Sequence, residues 1–206
     1  MSSVDAVLWD FGGVLVDWDP LHLYRKVIED DTERAHFLGI VCNREWHLQH
    51  DAGALFADTL PILRAEHPEH AAAIDAYLER YVEMIGGAVP GTTEIVEELH
   101  GQRVPQFGLT NMPHEVWPAI RDAWPVLAGL EGVVVSGTER LAKPDPAIFE
   151  LAVERFSLDP GRTVFVDDVP RNAAAAEASG FRALVFTDAT ALRRDLRDLG
   201  LPVSAA

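Results

Sequence analysis

Residues 4–15 read VDAVLWDFGGVL: a mainly apolar run up to Trp9 is followed by Asp10 and, at positions 12 and 13, by two glycines. Residues 4–9 predict a strand that is buried on both faces, as the strands of parallel sheets are. Asp10 would then lie at the rim of the sheet, where the two glycines let the backbone approach a ligand closely. Taken alone, the stretch fits an aspartate that caps a turn equally well, so the rest of the chain has to choose between the two interpretations.

Four more short apolar runs follow, and helical patterns alternate with them. They occupy residues 104–109, 133–135, 164–166 and 183–186. Helices are predicted to start at 92–94, at 113–115 and at Asp145-Pro146, an N-cap with proline at the first helical position. Because strand alternates with helix, we expect an α/β fold with a doubly wound parallel sheet of five strands.

Residues 18–86 interrupt this alternation. The segment contains no strand-like run, and its apolar residues recur at helical spacing, which predicts three or four amphipathic helices. We therefore divide the chain into an α/β core, residues 1–17 and 87–206, and a helical domain inserted after the first strand. Because ligands of parallel α/β sheets bind at the carboxyl ends of the strands, such an insertion would cover the site. Four residues predict the hinge that returns the chain to the core: Gly86, Gly87, Pro90 and Gly91.

Further polar residues stand at the ends of the predicted strands. Thr110 and Asn111 end the second strand, where a hydroxyl and an amide can donate hydrogen bonds to an oxyanion. Lys143 comes just before a predicted helix start, so its ammonium can join the helix amides in binding an anion. Asp167 and Asp168 end the fourth strand. Each residue alone fits ordinary turn, cap or surface chemistry, but four accidents would not be expected to meet at one rim, so we interpret them as one site.

The adjacent acids indicate a metal ion. Two carboxylates side by side after a buried strand repel each other unless a cation or hydrogen-bond donors offset the repulsion. An N-cap role would explain only one of them. Hard oxygen ligands of this kind suit Mg²⁺, which binds one or two protein carboxylates and keeps several waters. We therefore expect Mg²⁺ as the cofactor.

In this order, the four segments resemble the motifs of the haloacid dehalogenase superfamily. Residues 10–15 are similar to its first motif, Thr110-Asn111 to the second, Lys143-Pro144 to the third, and Asp167-Asp168 with Asn172 to the fourth. The helical insertion resembles the C1-type cap of that superfamily, so the resemblance covers nearly the whole chain. It implies a Rossmann-like core and a hydrolase in which Asp10 attacks phosphorus, forming an aspartyl-phosphate that water then hydrolyses.

The resemblance also implies a role for each site residue. Thr110 and Lys143 would bind the phosphoryl oxygens, Lys143 would also restrain Asp10, and Asn111 would orient the substrate or the loop. Four residues would hold the metal ion or support it: Asp10, the backbone carbonyl of Gly12, Asp168, and Asp167 as a ligand or just behind one.

One position departs from the family pattern. Phosphatases of this superfamily usually carry a second aspartate two residues after the nucleophile, which protonates the leaving group and later activates water, and here Gly12 stands there. Losing a general acid–base group typically costs about 10²–10⁴ in rate. Another group could supply the proton, the substrate could have a good leaving group, or the protein could be a weak catalyst or none. The candidate proton donors are His114, His47, His50 and Asp51.

Dehalogenases of the superfamily also lack that aspartate and are the main alternative. They work without metal, replace the acids of the fourth motif with neutral residues, and have a tyrosine where Gly12 stands. They bind the halide with an arginine just past the first motif, a position for which Arg25 is a candidate. Because the acid pair is present and the tyrosine absent, we favour a phosphatase acting on a small phosphorylated metabolite such as a sugar phosphate. A non-catalytic protein of the same fold is the third interpretation.

Aromatic and polar residues of the insertion are candidates for contact with the substrate. A histidine and a tryptophan on an amphipathic helix usually belong to a core or an interface, so this prediction rests on their closeness to the predicted site alone. With one histidine that follows the second motif, the candidates are Trp18, Trp46, His47, His50 and His114.

The composition bears on partners and location. The 206 residues include 33 Asp and Glu against 17 Lys and Arg, and this net charge of -16 argues against nucleic acid, whose affinity depends on Lys and Arg. No apolar run approaches the roughly 20 residues of a membrane span, and the first apolar run is too short for a signal peptide. With a single cysteine, Cys42, the chain forms no internal disulfide. We expect a cytoplasmic monomer or homodimer.

Overall fold

The computed structural model describes residues 3–205, apart from the side chain of Ala128. Five of its strands form one parallel sheet in the order β5-β4-β1-β6-β7, and the other two form a small antiparallel sheet. In chain order the strands are β1 Ala6–Trp9, β2 Val16–Trp18, β3 Ile85–Ala88, β4 Gln106–Thr110, β5 Gly132–Val135, β6 Thr163–Asp167 and β7 Arg182–Val185. The five predicted strands are confirmed, with ends that differ from the prediction by two residues at most.

Eleven α-helices accompany these strands within residues 3–205. Five precede β3: α1 Pro20–Val27, α2 Asp31–His36, α3 Arg44–Asp51, α4 Phe56–Glu66 and α5 Ala71–Glu79. Six follow it: α6 Thr92–Gly101, α7 Trp117–Ala123, α8 Ser136–Glu139, α9 Pro146–Phe156, α10 Pro170–Ala178 and α11 Ala189–Asp198. A π-helical turn, Phe37–Val41, lies between α2 and α3.

The parallel sheet is covered on both faces. Val7 and Trp9 belong to an apolar cluster that includes α6 and α11, whereas Leu8 belongs to a second cluster formed with α9 and α10. Successive strand residues point to opposite faces, so the continuous apolar run of β1 fills both clusters at once. This confirms the doubly wound α/β fold.

The order of the strands determines where the site lies. From β1 the chain builds outward on one side through β4 and β5, and then crosses to build the other side through β6 and β7. The carboxyl end of β1 is therefore flanked by the ends of β4 and β6. In open α/β sheets, ligands bind at such a switch point.

The helical insertion is richer in helices than the sequence predicts. Five α-helices, rather than three or four, lie between β2 and β3. The prediction missed α2 because this six-residue helix has no buried side chain and therefore shows no apolar periodicity. The division of the chain into two domains stays a prediction.

A small antiparallel sheet forms the base of the insertion. Strand β2 pairs with β3, with Trp18 opposite Ile85, so the predicted hinge of glycines is in part a strand. A Cβ on Gly86 would lie 2.5 Å from His22 Nε2, and a glycine there lets the two neighbouring segments approach each other. The sequence showed these glycines but not their pairing, because a three-residue strand gives no pattern.

The three predicted helix starts can be compared with the structure. Helix α6 begins at Thr92, which confirms the start at 92–94. The Asp145 side chain accepts a hydrogen bond from the Ala147 amide at 2.9 Å, which confirms the N-cap. The start at 113–115 is wrong, because α7 begins only at Trp117. Among the helices of residues 3–205, none combines the length and the apolar character needed to cross a bilayer.

Candidate active site

Asp10 follows β1 directly and is almost fully buried. Its Oδ1 accepts a hydrogen bond from the Phe11 amide at 2.7 Å and lies 2.8 Å from Lys143 Nζ. Within residues 3–205, Asp10 Oδ2 has no hydrogen-bond partner. One carboxylate oxygen is therefore fixed in place while the other is available.

Lys143 lies at the centre of the polar cluster, with 3% of its surface exposed. Its ammonium donates to Asp167 Oδ2 at 2.8 Å and to the Leu109 carbonyl at 2.9 Å, besides its contact with Asp10. Burial alone would lower the pKa of Lys143, but the carboxylates of Asp10 and Asp167 outweigh it and raise the pKa above its usual value. The lysine is therefore charged, and its side chain is fixed by three contacts.

Asn111 holds the backbone of that lysine. Its Oδ1 accepts from the Lys143 amide at 2.9 Å, and its Nδ2 donates to the Lys143 carbonyl at 3.0 Å. The resemblance implies that Asn111 orients either the substrate or the loop. These hydrogen bonds correspond to the second role, since they hold the loop that carries Lys143.

Asp167 is buried beneath the cavity and uses both of its oxygens. Oδ1 accepts from the Val169 amide at 2.8 Å, Oδ2 accepts from Lys143, and Asn172 Nδ2 lies 3.1 Å from each oxygen. These contacts make Asp167 an anchor for Lys143 and leave it little capacity to bind a metal ion. Asp168, which is more exposed, keeps its carboxylate free among the described residues.

The acids are close enough together to share a cation. One carboxylate oxygen from each of Asp10, Asp167 and Asp168 lies within 4.8 Å of the others. Burial raises the pKa of Asp10, the charge of Lys143 opposes this shift, and the charge of Asp167 adds to it, which together place the pKa at about 7. Burial and the neighbouring Asp167 also raise the pKa of Asp168. One ammonium does not balance three carboxylates, so the donor set fits a divalent cation with oxygen ligands.

Gly13 shows how closely the backbone approaches this cluster. It has a φ of +73°, which an L side chain rarely adopts, and a Cβ there would lie 2.8 Å from Asp168 Cγ. The glycine is therefore required for the position of Asp168.

A cavity of about 760 Å³ opens between the carboxyl ends of the sheet and the helical insertion. This volume is within the range of roughly 300–1,000 Å³ that is typical of ligand sites. Thr110, at the end of β4, is buried in its wall. The residues predicted for the core part of the site that line it are Asp10, Gly12, Thr110, Asn111, Lys143 and Asp168.

The candidates from the insertion divide into two groups. Trp18 and His47 line the cavity, and their rings stack at a centroid distance of 4.9 Å. Trp46 and His50 do not line it: both contact Phe56 in the helical core, and His50 Nε2 lies 2.7 Å from Thr59 Oγ1. For the residues of α3 the difference follows from their position around the helix axis: Trp46 and His50 share one side, and His47 lies on another.

Two further candidates lie outside the cavity. His114 is exposed in the loop after β4, and Arg25 is exposed on α1; neither lines the cavity. The sequence analysis missed the two arginines that do line it, Arg44 and Arg171. Their neighbours gave a signal, since Arg44 lies two residues before Trp46 and Arg171 lies between the two parts of the fourth motif.

The chain is similar to known hydrolases over most of its length. A family profile described as haloacid dehalogenase-like hydrolase matches residues 4–180. A sesquiterpene phosphatase of Aspergillus oryzae is 26% identical, over 96% of this chain and 97% of that protein. A phosphorylated carbohydrates phosphatase of Thermotoga maritima is 25% identical, over 88% of this chain and 84% of that protein.

Solved structures share the fold. The magnesium complex of a HAD family enzyme from Bacteroides thetaiotaomicron has a TM-score of 0.68 at 22% identity, and the match covers 91% of this chain and 95% of that one. Solved dehalogenases match with TM-scores from 0.64 to 0.68. Likeness of fold therefore does not separate phosphatase from dehalogenase, and the side chains of the site have to do so.

Proposed function

The chain belongs to the haloacid dehalogenase-like hydrolases, and we propose that it is a magnesium-dependent phosphatase whose nucleophile is Asp10. Its substrate would be a small phosphorylated metabolite, and the reaction would pass through an aspartyl-phosphate. One observation carries the proposal: Lys143 Nζ lies 2.8 Å from both Asp10 and Asp167, beside a cavity that can hold a substrate.

The chain supplies positioning and charge for this reaction. Phe11 and Lys143 fix Oδ1 of Asp10, so Oδ2 is the oxygen available to attack phosphorus. Lys143 also gives the phosphoryl group a buried positive charge, and the Thr110 hydroxyl offers a hydrogen bond from the cavity wall. Preorganised charges of this kind stabilise the transition state because they need no reorganisation during the reaction.

The metal ion would be held by Asp10, Asp168 and the backbone carbonyl of Gly12. When bound, Mg²⁺ neutralises negative charge between the carboxylates and the phosphoryl oxygens. Asp167 would act from behind, through its contacts with Lys143 and Asn172. The closeness of the three carboxylates supports this assignment.

The dehalogenase alternative has less support from the site. The arginine that it requires would be Arg25, which is exposed and outside the cavity. A metal-free reaction also leaves the repulsion between Asp167 and Asp168 with only Lys143 to offset it. Both observations favour the phosphatase.

The substrate panel follows from the cavity and the relatives. Leu21, Leu38 and Leu48 give the wall formed by the insertion an apolar part, while Arg44 adds a cation. Sugar phosphates and sesquiterpenyl phosphates, which the names of the two phosphatase relatives suggest, therefore belong on one panel.

The test is phosphate release with Mg²⁺ and with EDTA, on p-nitrophenyl phosphate and on the panel. We expect activity that requires Mg²⁺ and that disappears in Asp10→Asn. The matched control is Asp5→Asn, since Asp5 lies just before the opposite end of β1 and pairs with Arg162 on the surface. Release that survives EDTA or Asp10→Asn would contradict the proposal, as would halide release from 2-haloacids without any phosphate release.

A further inference from the structure

A phosphate ester of an alcohol needs a proton for its leaving oxygen, and the glycine two residues after Asp10 cannot supply one. The donor has to face the cavity. The carboxyl and imidazole groups that line it, within residues 3–205, are Asp10, Asp19, Asp51, Asp168 and His47. Asp10 and Asp168 belong to the proposed metal site, and Asp19 caps α1 by accepting from the Leu21 amide at 2.9 Å. Asp51 and His47 remain.

Asp51 is the last residue of α3, with 3% of its surface exposed. Its Oδ2 lies 3.4 Å from Nε2 of His47, one helical turn earlier. Its Oδ1 is buried and has no hydrogen-bond partner among the described residues. A buried carboxylate oxygen without a partner is costly, and this cost favours the neutral, protonated form of Asp51.

His47 orients this carboxyl. The Tyr77 hydroxyl lies 2.7 Å from His47 Nδ1, and burial holds the pKa of Tyr77 well above its usual range, so the hydroxyl stays protonated and donates. Burial lowers the pKa of His47 to about 4, so its ring is neutral and carries its hydrogen on Nε2, facing Asp51 Oδ2. The N–H of His47 is therefore turned towards the Asp51 carboxyl, with Nε2 at 3.4 Å from Oδ2.

The buried environment of Asp51 favours its protonated form. Burial raises its pKa to about 7, the charge of Lys143 opposes this shift, and the charge of Asp10 adds to it. Three other titratable groups near it in the insertion are neutral: Tyr77 and Tyr81 are buried with raised pKa values, and burial lowers the pKa of His50 to about 4. A carboxyl group that titrates near neutral pH can give and take a proton in each cycle.

We propose that Asp51 is the general acid and base of this site, an assignment that rests on the proposed phosphatase function. As Asp10 attacks phosphorus, the bond from phosphorus to the ester oxygen breaks, and its electron pair stays on that oxygen. The oxygen takes the proton of the Asp51 carboxyl, so the alcohol leaves neutral.

The second half of the cycle returns Asp51 to its protonated form and Asp10 to a free carboxylate. Asp51, now a carboxylate, takes a proton from a water molecule as the water oxygen attacks the phosphorus of the aspartyl-phosphate. The bond between phosphorus and Asp10 breaks, its electron pair returns to the Asp10 carboxylate, and inorganic phosphate leaves.

The closing experiment compares two leaving groups in wild type and Asp51→Asn, with Mg²⁺ present. For an alkyl phosphate from the panel, we expect kcat/KM to fall about 10²–10⁴-fold. The leaving group of p-nitrophenyl phosphate needs little protonation. With this substrate we expect a burst of p-nitrophenol whose rate stays within about tenfold of the wild-type rate. Steady-state release after the burst should be slow, because hydrolysis of the aspartyl-phosphate needs the base. The matched control is Asp75→Asn, an aspartate of the same insertion that pairs with Arg64 outside the cavity.

The outcomes separate the two proposals. Equal losses for both leaving groups would show a structural role and overturn the assignment of Asp51, and so would wild-type turnover of the alkyl phosphate. A wild type that releases no phosphate from any substrate contradicts the phosphatase itself. If Asp51→Asn does not fold, the wild type supplies the answer: a shallow dependence of kcat/KM on the pKa of the leaving alcohol supports a proton donor, and a steep one overturns it.

Discussion

Replacing Asp51 by asparagine should stabilise the protein at high pH. In the folded chain, burial raises the pKa of this carboxyl from 3.8 to about 7. The folded protein therefore binds the proton more tightly than the unfolded chain does. Asp51 costs no stability below pH 3.8, and the cost grows as the pH rises until it levels off above the folded pKa near 7. Asparagine cannot ionise and escapes this cost.

The magnitude follows from the shift of the pKa. At about 1.36 kcal/mol per unit, the full cost is about 4 kcal/mol, of which about 3 kcal/mol develops between pH 5 and pH 8. The free energy of unfolding of Asp51→Asn relative to wild type should therefore rise by that amount over this interval. A fixed penalty for the new amide is the same at both pH values and cancels in the comparison.

The measurement is urea denaturation of both proteins at pH 5 and pH 8 in EDTA, with linear extrapolation to water. Other titrating groups, Asp10 among them, are shared by both proteins and so largely cancel. A difference between the proteins that stays constant from pH 5 to pH 8, or that falls, would refute the buried and unpaired environment assigned to Asp51.

Three other variants test the surrounding site. Gly13→Ala should push Asp168 out of place and weaken Mg²⁺ binding by about 10–100-fold, measured as the metal-dependent rise in melting temperature. Lys143→Met leaves buried carboxylates without their partner, so it should lower the free energy of unfolding by about 3–5 kcal/mol in urea denaturation and abolish phosphate release. Adding Gly12→Asp to Asp51→Asn should recover part of the kcat/KM for alkyl phosphates, because a Cβ at position 12 meets no atom closer than 3.9 Å; no recovery would mean that this position cannot reach the leaving group.

The core part of the site could be predicted because all strands of a parallel sheet end at the same edge. Asp10, Thr110 and Asp167 stand at the carboxyl ends of buried strands of one parallel sheet, so topology fixes their common edge, and the order β4-β1-β6 brings them together. Lys143 could be added because a helix start lies just after it. Each of these predictions depends on strong local patterns, which are apolar runs and caps.

The part of the site formed by the insertion could not be predicted in the same way. His47 and His50 lie on one helix, yet only the first faces the cavity, and the phase of α3 depends on which of its sides packs on Phe56 and Tyr77. A single sequence shows that such a helix exists, but not which side faces the site. The pairing of β2 with β3 could not be predicted for a related reason. The two strands are distant in sequence and too short to show an alternation of apolar and polar residues.

This difference also explains why a motif search finds the nucleophile and not the proposed acid. Asp10 is positioned by the sheet, whereas Asp51 is positioned by the packing of α3 against α8, across two glycines. A Cβ on Gly137 would lie 3.0 Å from the His50 carbonyl, and a Cβ on Gly53 would lie 3.2 Å from the Gly137 carbonyl. The glycines let the two backbones meet closely enough to hold the end of α3 over the core. Proton transfer by Asp51 would therefore depend on the interface between the insertion and the core. With an aspartate at position 12, the nucleophile and the proton donor would lie on the same loop.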